Sequence, residues 1–409
     1  MKIVILSILS LFFVATKISA QEKDSMYVPW SLRDVQQSIE YCASKTLATI
    51  ENLASYKKSP RTILSGEKHW NAKSAGGWTS GFWAGILWYV YEGTGNEKIK
   101  LEAEKFTEEI LPILEQPAKS HDIGFIFNCS FGNGYRLTRN YRYKKILMSA
   151  SDSLAHLFND KVGTILSWPY QVKDKLYAPH NTIIDNMMNL ELLFLASNNS
   201  SNTTFQKMAI SHANVTQKNH ISSSATVYHV LVYDDITGKS IRKFTHQGYN
   251  DSSLWARGQA WGIYGFTMCY RQTKDKKYLA TAKALATAYL QRLPKDYVPF
   301  WDFDDLAIPN APRDASAAAV VASALLELSE LEKNIEEKRF YRKTAEKILR
   351  SLSSPAYLSG SENDAFLLHS TGNKPKNSEV DIPIIYADYY YIEALVRLKK
   401  IVQAENKIK

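Results

Sequence analysis

The chain has 409 residues, with 50 Lys or Arg against 41 Asp or Glu, and its formal net charge is +9. An apolar fraction of 45% excludes a disordered chain, and 18 Gly and 13 Pro exclude a fibrous or low-complexity one. Three widely separated cysteines, Cys42, Cys129 and Cys269, are too few for a disulfide framework and lack metal-site spacing. Cys42 and Cys269 lie in helical patterns, so we expect both to be buried apolar residues.

The N-terminus carries an apolar run over residues 3–16 behind Lys2, followed by Ala20, a small residue, before Gln21. This arrangement is typical of a secretory signal peptide over residues 1–20, and an uncleaved anchor helix is the alternative. No other apolar stretch of about 18 residues occurs, so we expect no membrane span in residues 21–409. The protein is therefore predicted to be secreted or periplasmic.

Removal of residues 1–20 leaves 48 basic against 41 acidic residues, a net charge of +7. A basic exported protein suggests an anionic partner. Nucleic acid is disfavoured, because the Lys and Arg residues are scattered and no binding motif is present. An acidic polysaccharide or a membrane surface fits the compartment better.

Twelve helical patterns alternate in character, and no linker divides residues 21–409 into separate domains. The odd patterns are amphipathic and charged, whereas the even ones are apolar, small or aromatic, as expected of outer and inner helices respectively. The predicted helices span residues 31–52, 80–93, 97–111, 121–137, 143–157, 181–196, 203–219, 255–273, 276–292, 315–331, 338–352 and 388–401.

The connections alternate as well. Those from even to odd helices have about 2 to 6 residues, and those from odd to even have about 9 to 35. Inner and outer helices therefore alternate around a ring, an all-α toroid of six helical hairpins, with two stacked helical domains as the weaker alternative. Residues 226–239 instead alternate and end in a turn signal, which predicts a small β-hairpin returning through residues 241–245. Long loops usually carry function, so we expect the site at the N-terminal ends of the inner helices.

Residues capable of chemistry collect at those ends. Asp122 and Asp185 belong to successive inner helices, so their side chains can face each other. Asp122 and Asp314 could instead be simple N-caps. Asp185 lies about one turn inside its predicted helix among apolar residues, where a carboxylate needs a partner or a proton.

Other candidates also have two interpretations. Arg257, between Trp255 and Trp261, is either a member of a structural ion pair or a clamp for a carboxylate. His229 and His246 are either ordinary satisfied histidines or functional ones. Five tryptophans are either core residues or sugar-stacking platforms: Trp78, Trp83, Trp88, Trp168 and Trp301.

Five segments, in this order and spacing, resemble glycoside hydrolase family 88, the unsaturated glucuronyl hydrolases, over most of residues 21–409. They are residues 121–125 (HDIGF), 184–186 (IDN), 245–248 (THQG), 255–262 (WARGQAWG) and 388–394 (DYYYIEA). The resemblance implies an (α/α)6 barrel. It also implies removal of a non-reducing-end 4,5-unsaturated uronic acid from lyase-generated oligosaccharides, by hydration of the vinyl ether and without a metal or organic cofactor.

By the same resemblance, Asp185 is the general acid and base, and Asp122 is the second aspartate. We expect repulsion from a charged Asp122, helped by burial, to raise the pKa of Asp185 so that it rests protonated. Ser370 and Lys374, in the last long loop, would contact a sulfate of the next sugar, with a solvated Lys-rich loop as the alternative. The resemblance assigns substrate or water contacts to His121, His229, His246, Gln247, Arg257 and Trp261.

Other functions remain open at this stage. A different enzyme on the same barrel is one, such as a rhamnogalacturonyl hydrolase or an inverting glycosidase. A non-catalytic exported sugar-binding protein is another, and it would not need Asp185 buried opposite Asp122. The histidine and glutamine cluster favours the glucuronyl hydrolase, acting on an anionic unsaturated oligosaccharide such as a glycosaminoglycan fragment.

Overall fold

The structure is a computed structural model that describes residues 27–408. The predicted signal peptide, residues 1–20, lies outside the described residues. The helices are α1 (Leu32–Asn52), α2 (Ser80–Thr94), α3 (Glu97–Glu108), α4 (Ile123–Phe127), α5 (Asn133–Thr138), α6 (Tyr141–Ala155), α7 (Asn186–Asn198), α8 (Thr204–Asn219), α9 (Ala256–Thr273), α10 (Lys276–Leu290), α11 (Ala315–Leu331), α12 (Ile335–Leu352) and α13 (Ile385–Ile408).

α4 and α5 form one continuous segment, because a π-helical turn over Asn128–Gly132 joins them with right-handed backbone angles throughout. Counted this way, residues 27–408 contain the twelve long helical segments that the sequence predicts. A π-turn widens the helix by one residue per turn without interrupting it.

The inner helices form a closed ring. Each packs against the next in the order α2, α4/α5, α7, α9, α11 and α13, and α13 packs against α2. The outer helices α1, α3, α6, α8, α10 and α12 lie against this ring. The predicted (α/α)6 barrel is therefore confirmed.

The inner helices are buried on all sides and the outer helices on one face, as the residue patterns of the two sets predicted. Every residue from Ala315 to Ser329 of α11 is buried. In α12 the buried residues include Tyr341, Ala345, Ile348 and Leu352, spaced three or four apart, and basic side chains occupy the opposite face. A helix covered on all sides needs apolar residues all round, whereas one that faces water needs only an apolar stripe.

Three of the short turns share a two-residue design. A residue in the left-handed conformation ends the inner helix, and the next residue, Asn or Asp, caps the outer helix with its side chain. The pairs are Gly95 with Asn96, Arg139 with Asn140, and Lys274 with Asp275. These turns lie on one face of the barrel and leave the long loops on the other.

The predicted β-hairpin is present as β6 (Val230–Tyr233) and β7 (Ser240–Phe244). A strand that the sequence did not predict, β5 (His180–Ile183), pairs antiparallel with β6. The helix predicted from residue 181 was therefore wrong at its start, because α7 begins at Asn186. All four residues of β5 are buried although three of them are polar, and four residues are too few to show the period that separates a strand from the start of a helix.

Two shorter antiparallel pairs complete the described strands: β1 (Lys58–Thr62) with β2 (Asn71–Ser74), and β3 (Phe158–Asn159) with β4 (Thr164–Ile165). Cys42 and Cys269 are buried and unpaired, as predicted. None of the helices in residues 27–408 combines the length and apolar character needed to cross a membrane.

Candidate active site

The long-loop face of the barrel contains a cavity of about 230 Å³ at the N-terminal ends of the inner helices. Its floor comes from the starts of α4, α7 and α9, and one wall comes from the loop over residues 372–379. Seven of the ten predicted site residues line it: His121, Asp122, Asp185, His246, Gln247, Arg257 and Trp261.

Asp185 directly precedes α7, and its side chain does not cap that helix. One carboxylate oxygen, Oδ2, is buried without a hydrogen-bond partner, while the side chain as a whole keeps 16% of its surface exposed. Burial raises the pKa of Asp185 from its ordinary 3.8 to about 7, against the opposing positive charge of Arg257 and with added repulsion from Asp122. Burial therefore contributes more than the like-charge repulsion on which the sequence argument relied.

Asp122 precedes α4 and makes no capping hydrogen bond, so the N-cap interpretation is wrong for this residue. Ser120 Oγ donates to Asp122 Oδ2 at 2.7 Å, and His121 Nε2 lies 3.5 Å from Oδ1. The N-cap interpretation holds for Asp314, whose Oδ1 accepts from the N–H groups at the start of α11. Asp122 is thus held by its neighbours in a fixed orientation at the cavity wall.

The sheet places His229 beside Asp185. Ile184 N–H donates to the His229 carbonyl at 3.1 Å, which extends the pairing of β5 with β6 by one residue. His229 Nδ1 accepts the backbone N–H groups of His246 and Gln247 at 3.2 Å each, so the ring proton is on Nε2. That Nε2 lies 3.8 Å from Asp185 Oδ2, and burial holds the pKa of His229 well below its usual range.

His246 joins the sheet side of the cavity to the opposite loop. Its Nδ1 lies 2.5 Å from the Tyr177 hydroxyl, and Lys376 Nζ donates to its Nε2 at 3.0 Å. Burial, with the charge of Lys376, lowers the pKa of His246 to about 4. His246 is therefore a neutral ring that accepts from a lysine at the mouth of the cavity.

Arg257 is buried and forms an ion pair with Asp314, at 2.8 Å between Nη1 and Oδ2. Its guanidinium also donates to the carbonyls of Thr371 and Gly372, and it lies over the rings of Trp255 and Tyr386. The structural ion-pair interpretation therefore holds, while the carboxylate clamp stays a prediction for a guanidinium that also lines the cavity. These contacts also anchor the 372–379 loop to α9.

Gln247 and Trp261 complete the polar lining. Gln247 Nε2 donates to the same Gly372 carbonyl at 3.0 Å. Trp261 is almost fully buried, and its indole N–H has no hydrogen-bond partner within the described residues. The unpaired N–H lies at the same cavity as Asp185, and it opposes the rise in the pKa of that carboxyl far less than burial causes it.

The profile of Glycosyl Hydrolase Family 88 matches residues 45–400. The chain belongs to this family. It is 45% identical over 330 residues to an unsaturated glucuronyl hydrolase of Formosa agariphila, a match that covers 80% of each chain. It is 33% identical over 329 residues to an unsaturated chondroitin disaccharide hydrolase of Streptococcus pyogenes, covering 79% of this chain and 81% of the relative.

Solved structures agree with the family assignment. An unsaturated glucuronyl hydrolase specific for heparin superposes with a TM-score of 0.86 at 39% identity, covering 90% of this chain and 98% of that one. A mutant Streptococcus agalactiae enzyme complexed with dGlcA-GalNAc6S superposes with a TM-score of 0.79 at 27% identity, covering 92% and 94%. The predicted resemblance to family 88 is therefore confirmed.

Three predicted residues of this family 88 chain lie outside the cavity lining: His229, which lies behind Asp185, and Ser370 and Lys374 in the last long loop. Ser370 is fully buried, its backbone pairs with Ile382, and its hydroxyl has no hydrogen-bond partner within the described residues. Lys374 begins a short 3-10 turn, and the lysine that reaches the cavity is Lys376, two residues later. The predicted sulfate contacts of Ser370 and Lys374 remain predictions.

The tryptophans divide between core and cavity. Trp83, Trp88 and Trp301 belong to the core, whereas Trp78 and Trp168 line the cavity. Sequence reasoning missed several other lining residues: Arg61, Tyr170, Lys376, Glu379 and Tyr386. Arg61 and Glu379 form an ion pair of 2.7 Å across 318 positions of sequence, which no local pattern signals.

The described part of the chain offers no candidate metal site. Within residues 27–408, no group of three or more His, Cys, Asp and Glu side chains is arranged to hold a metal ion. The cavity lining includes three carboxyl groups, Asp122, Asp185 and Glu379, and two histidines with lowered pKa values, His121 and His246. Among them, the raised pKa of Asp185 suits that carboxyl to proton transfer near neutral pH.

Proposed function

We propose that the protein removes the 4,5-unsaturated uronic acid from the non-reducing end of oligosaccharides by adding water across the C4=C5 double bond. The observation that carries this proposal is the carboxyl of Asp185, which faces the cavity with a pKa raised to about 7. Such a group gives a proton at neutral pH and, once ionised, can take one back.

The first step is protonation of C4. The proton of Asp185 goes to C4 as the C4=C5 electron pair forms the new C–H bond, and positive charge develops at C5 and the ring oxygen. The Asp122 carboxylate, oriented by Ser120 and His121, lies on the same side of the cavity floor. A negative group fixed there stabilises the developing positive charge without reorganising during the reaction.

The second step is addition of water to C5. Asp185, now ionised, takes a proton from the water while its oxygen bonds to C5, which returns the carboxyl to its starting state. The resulting hemiketal opens by breaking the bond between C5 and the ring oxygen. This leaves a ketone at C5 and a hemiacetal at C1, which collapses to an aldehyde and releases the rest of the sugar chain as an alcohol.

The substrate carboxylate attached to C5 needs a positively charged or N–H-rich wall. Arg257 supplies the charge, and Trp261 and Gln247 present N–H groups to the same cavity. Two relatives carry names that include chondroitin and glucuronyl substrates, and one solved neighbour is specific for heparin. We infer that unsaturated glycosaminoglycan fragments are the substrate class.

The test is to incubate the protein with unsaturated disaccharides from chondroitin, heparin and hyaluronan lyases and to follow the double-bond absorbance. We expect loss of absorbance with at least one of them, and incorporation of solvent deuterium at C4. Asp185→Asn should lower kcat/KM by about 10²- to 10⁴-fold. Asp152→Asn, on the exposed face of α6, is the matched control and should keep full activity. Constant absorbance with every disaccharide would contradict the proposal.

We also propose that the protein is exported, as a secreted or periplasmic enzyme. The apolar run over residues 3–16 and the small residue before Gln21 support this proposal. Mass spectrometry of the protein from culture medium and from cell fractions should find a mature chain that begins at Gln21. An intact N-terminus in the cytoplasmic fraction would contradict it.

A further inference from the structure

The first turn of α7 places two buried asparagines, Asn186 and Asn189, directly after Asp185. Neither contributes to the chemistry described above. The Asn189 side chain instead contacts His121, the residue before Asp122. One helical turn therefore follows the general acid and carries a group that contacts the neighbour of the second aspartate.

The orientation of Asn189 follows from a backbone donor. Phe125 N–H donates to Asn189 Oδ1 at 2.6 Å, so the opposite end of the amide must be the NH₂ group. That group, Nδ2, lies 3.1 Å from His121 Nδ1. Since Nδ2 can only donate, His121 Nδ1 must accept and cannot carry a proton.

The other ring nitrogen of His121, Nε2, is buried without a hydrogen-bond partner within the described residues. This Nε2 lies 3.5 Å from Asp122 Oδ1. Asn186 Nδ2 donates to the Ile165 carbonyl at 3.0 Å and to Ser167 Oγ at 3.1 Å, which leaves Asn186 Oδ1 without a partner. Burial lowers the pKa of His121, while Asp122 and the Asn186 side chain oppose that shift, as acceptors of its ring proton would.

We propose that Asn189 is a positioning residue that holds His121 as the neutral Nε2–H tautomer, which places the ring N–H on the side of Asp122, 3.5 Å from its Oδ1. This inference deepens the function proposed above, because Asp122 acts there on the reacting sugar and on Asp185. In the alternative tautomer, a nitrogen lone pair would face the Asp122 carboxylate and repel it. A wrong tautomer at an unchanged position is known to be costly in histidine-dependent catalysis.

The sharpest variant is Asn189→Asp, which changes one NH₂ group to an oxygen and keeps the shape. The carboxylate still accepts from Phe125 N–H but can no longer donate to His121, so we expect His121 Nδ1 to take up a proton and donate to it. We expect kcat to fall about 10- to 100-fold, the usual effect of a lost orienting partner, with a smaller change in KM. Asn198→Asp, at the exposed end of the same helix, is the matched control and should change neither.

The tautomer itself is read by nitrogen NMR of the full-length protein labelled at histidine. In the unchanged protein, His121 should show a protonated Nε2 and a bare Nδ1, and Asn189→Asp should reverse the state of Nδ1. A protonated Nδ1 in the unchanged protein would overturn the proposal, even if the variant fails to fold. So would a variant that folds, keeps the original tautomer and keeps full kcat.

This readout needs no substrate. Absence of hydration activity in the unchanged protein would therefore remove the proposed function and leave the tautomer result standing. A normal hydration rate together with the wrong tautomer would remove only the positioning proposal.

Discussion

At the scale of single residues, the raised pKa of the proposed general acid, Asp185, depends more on the burial of its carboxyl than on its charged neighbours. Asp185 has one buried oxygen and an adjacent neutral histidine, and burial is the largest cause of its raised pKa. Arg257 and Asp122 act on that pKa in opposite directions and partly offset each other. The pH range of activity should therefore respond to each neighbour with a definite sign.

The alkaline side of the pH profile provides the first prediction. Because Asp185 must be protonated to act, kcat/KM should fall as the pH rises through about 7. Asp122→Asn removes a like charge, so the pKa of Asp185 should drop and the alkaline limb should move to lower pH, in addition to any loss of rate. A limb that stays in place or moves to higher pH would show that Asp122 does not act on Asp185.

The stability of the fold should depend on the same ionisation, and it should also fall as Asp185 loses its proton. A carboxyl with a folded-state pKa of about 7 and an ordinary value of 3.8 binds more protons when folded, so stability falls as the pH rises between those values. Asp185→Asn should therefore unfold with a higher free energy than the unchanged protein at pH 8, by roughly 1–4 kcal/mol, and with little difference below pH 4. Urea denaturation at both pH values measures this, and Asp152→Asn should show no such pH dependence.

The roles of individual residues were predictable only where a motif carried them. The resemblance predicted a place at the cavity for Asp122 and Asp185, and for Arg257 and Trp261 of the 255–262 segment, and all four line it. The contact between Lys376 and His246 spans 130 positions of sequence and depends on how the last long loop folds back. Nothing local distinguishes Lys376 from Lys374, so the sequence interpretation named Lys374 and did not identify Lys376 as a residue of the cavity lining.

At the scale of elements, α2 and α4 approach so closely that their contact needs a glycine. A Cβ placed on Gly81 would lie 2.7 Å from Ile126 Cα, closer than real Cβ contacts allow. Only the missing side chain lets the two inner helices meet backbone to backbone. This contact fixes the start of α4, and with it the placement of Asp122.

Gly81→Ala should therefore destabilise the protein by about 1–3 kcal/mol, despite the better helix propensity of alanine, because the backbone of α4 must move. Gly76→Ala is the matched control, since the nearest heavy atom to its Cβ would be 4.0 Å away. Chemical denaturation of both variants measures the difference. Equal stability of the two would mean that α2 and α4 separate without cost.

The helices were predictable because their hydrophobic periods are long, and strand β5 was not. His180–Ile183 is too short to show a period, and its partner β6 begins about 50 residues later. The error moved Asp185 from the loop before α7 into a helix interior. The correct position matters chemically, because it leaves one carboxylate oxygen facing the cavity and sets His229 beside the other.

At the scale of the whole molecule, the net positive charge of the chain is consistent with an anionic substrate. The full chain carries a net charge of +9, and Arg61, Arg257 and Lys376 line the cavity. Fields of this kind increase the encounter rate of an anion and are screened by salt over about 8 Å at physiological ionic strength.

Raising the salt concentration from about 0.01 M to 0.15 M should therefore raise KM for an unsaturated disaccharide several-fold and change kcat much less. Steady-state kinetics at constant pH in two salts of different anions would separate screening from competition by a specific anion. A KM that does not depend on salt would show that the charge plays no part in substrate capture.

The way in which the ring closes has a consequence for synthesis of the protein. The contact between α13 and α2 joins the sixth inner helix to the first, and α13 also contributes Tyr386 to the cavity. While a ribosome is still making the chain, five inner helices can assemble only as an open arc whose two apolar edges remain uncovered. The barrel and its catalytic cavity are therefore completed at the same time, when α13 emerges from the ribosome. A nascent chain without α13 has neither a closed ring nor a complete cavity.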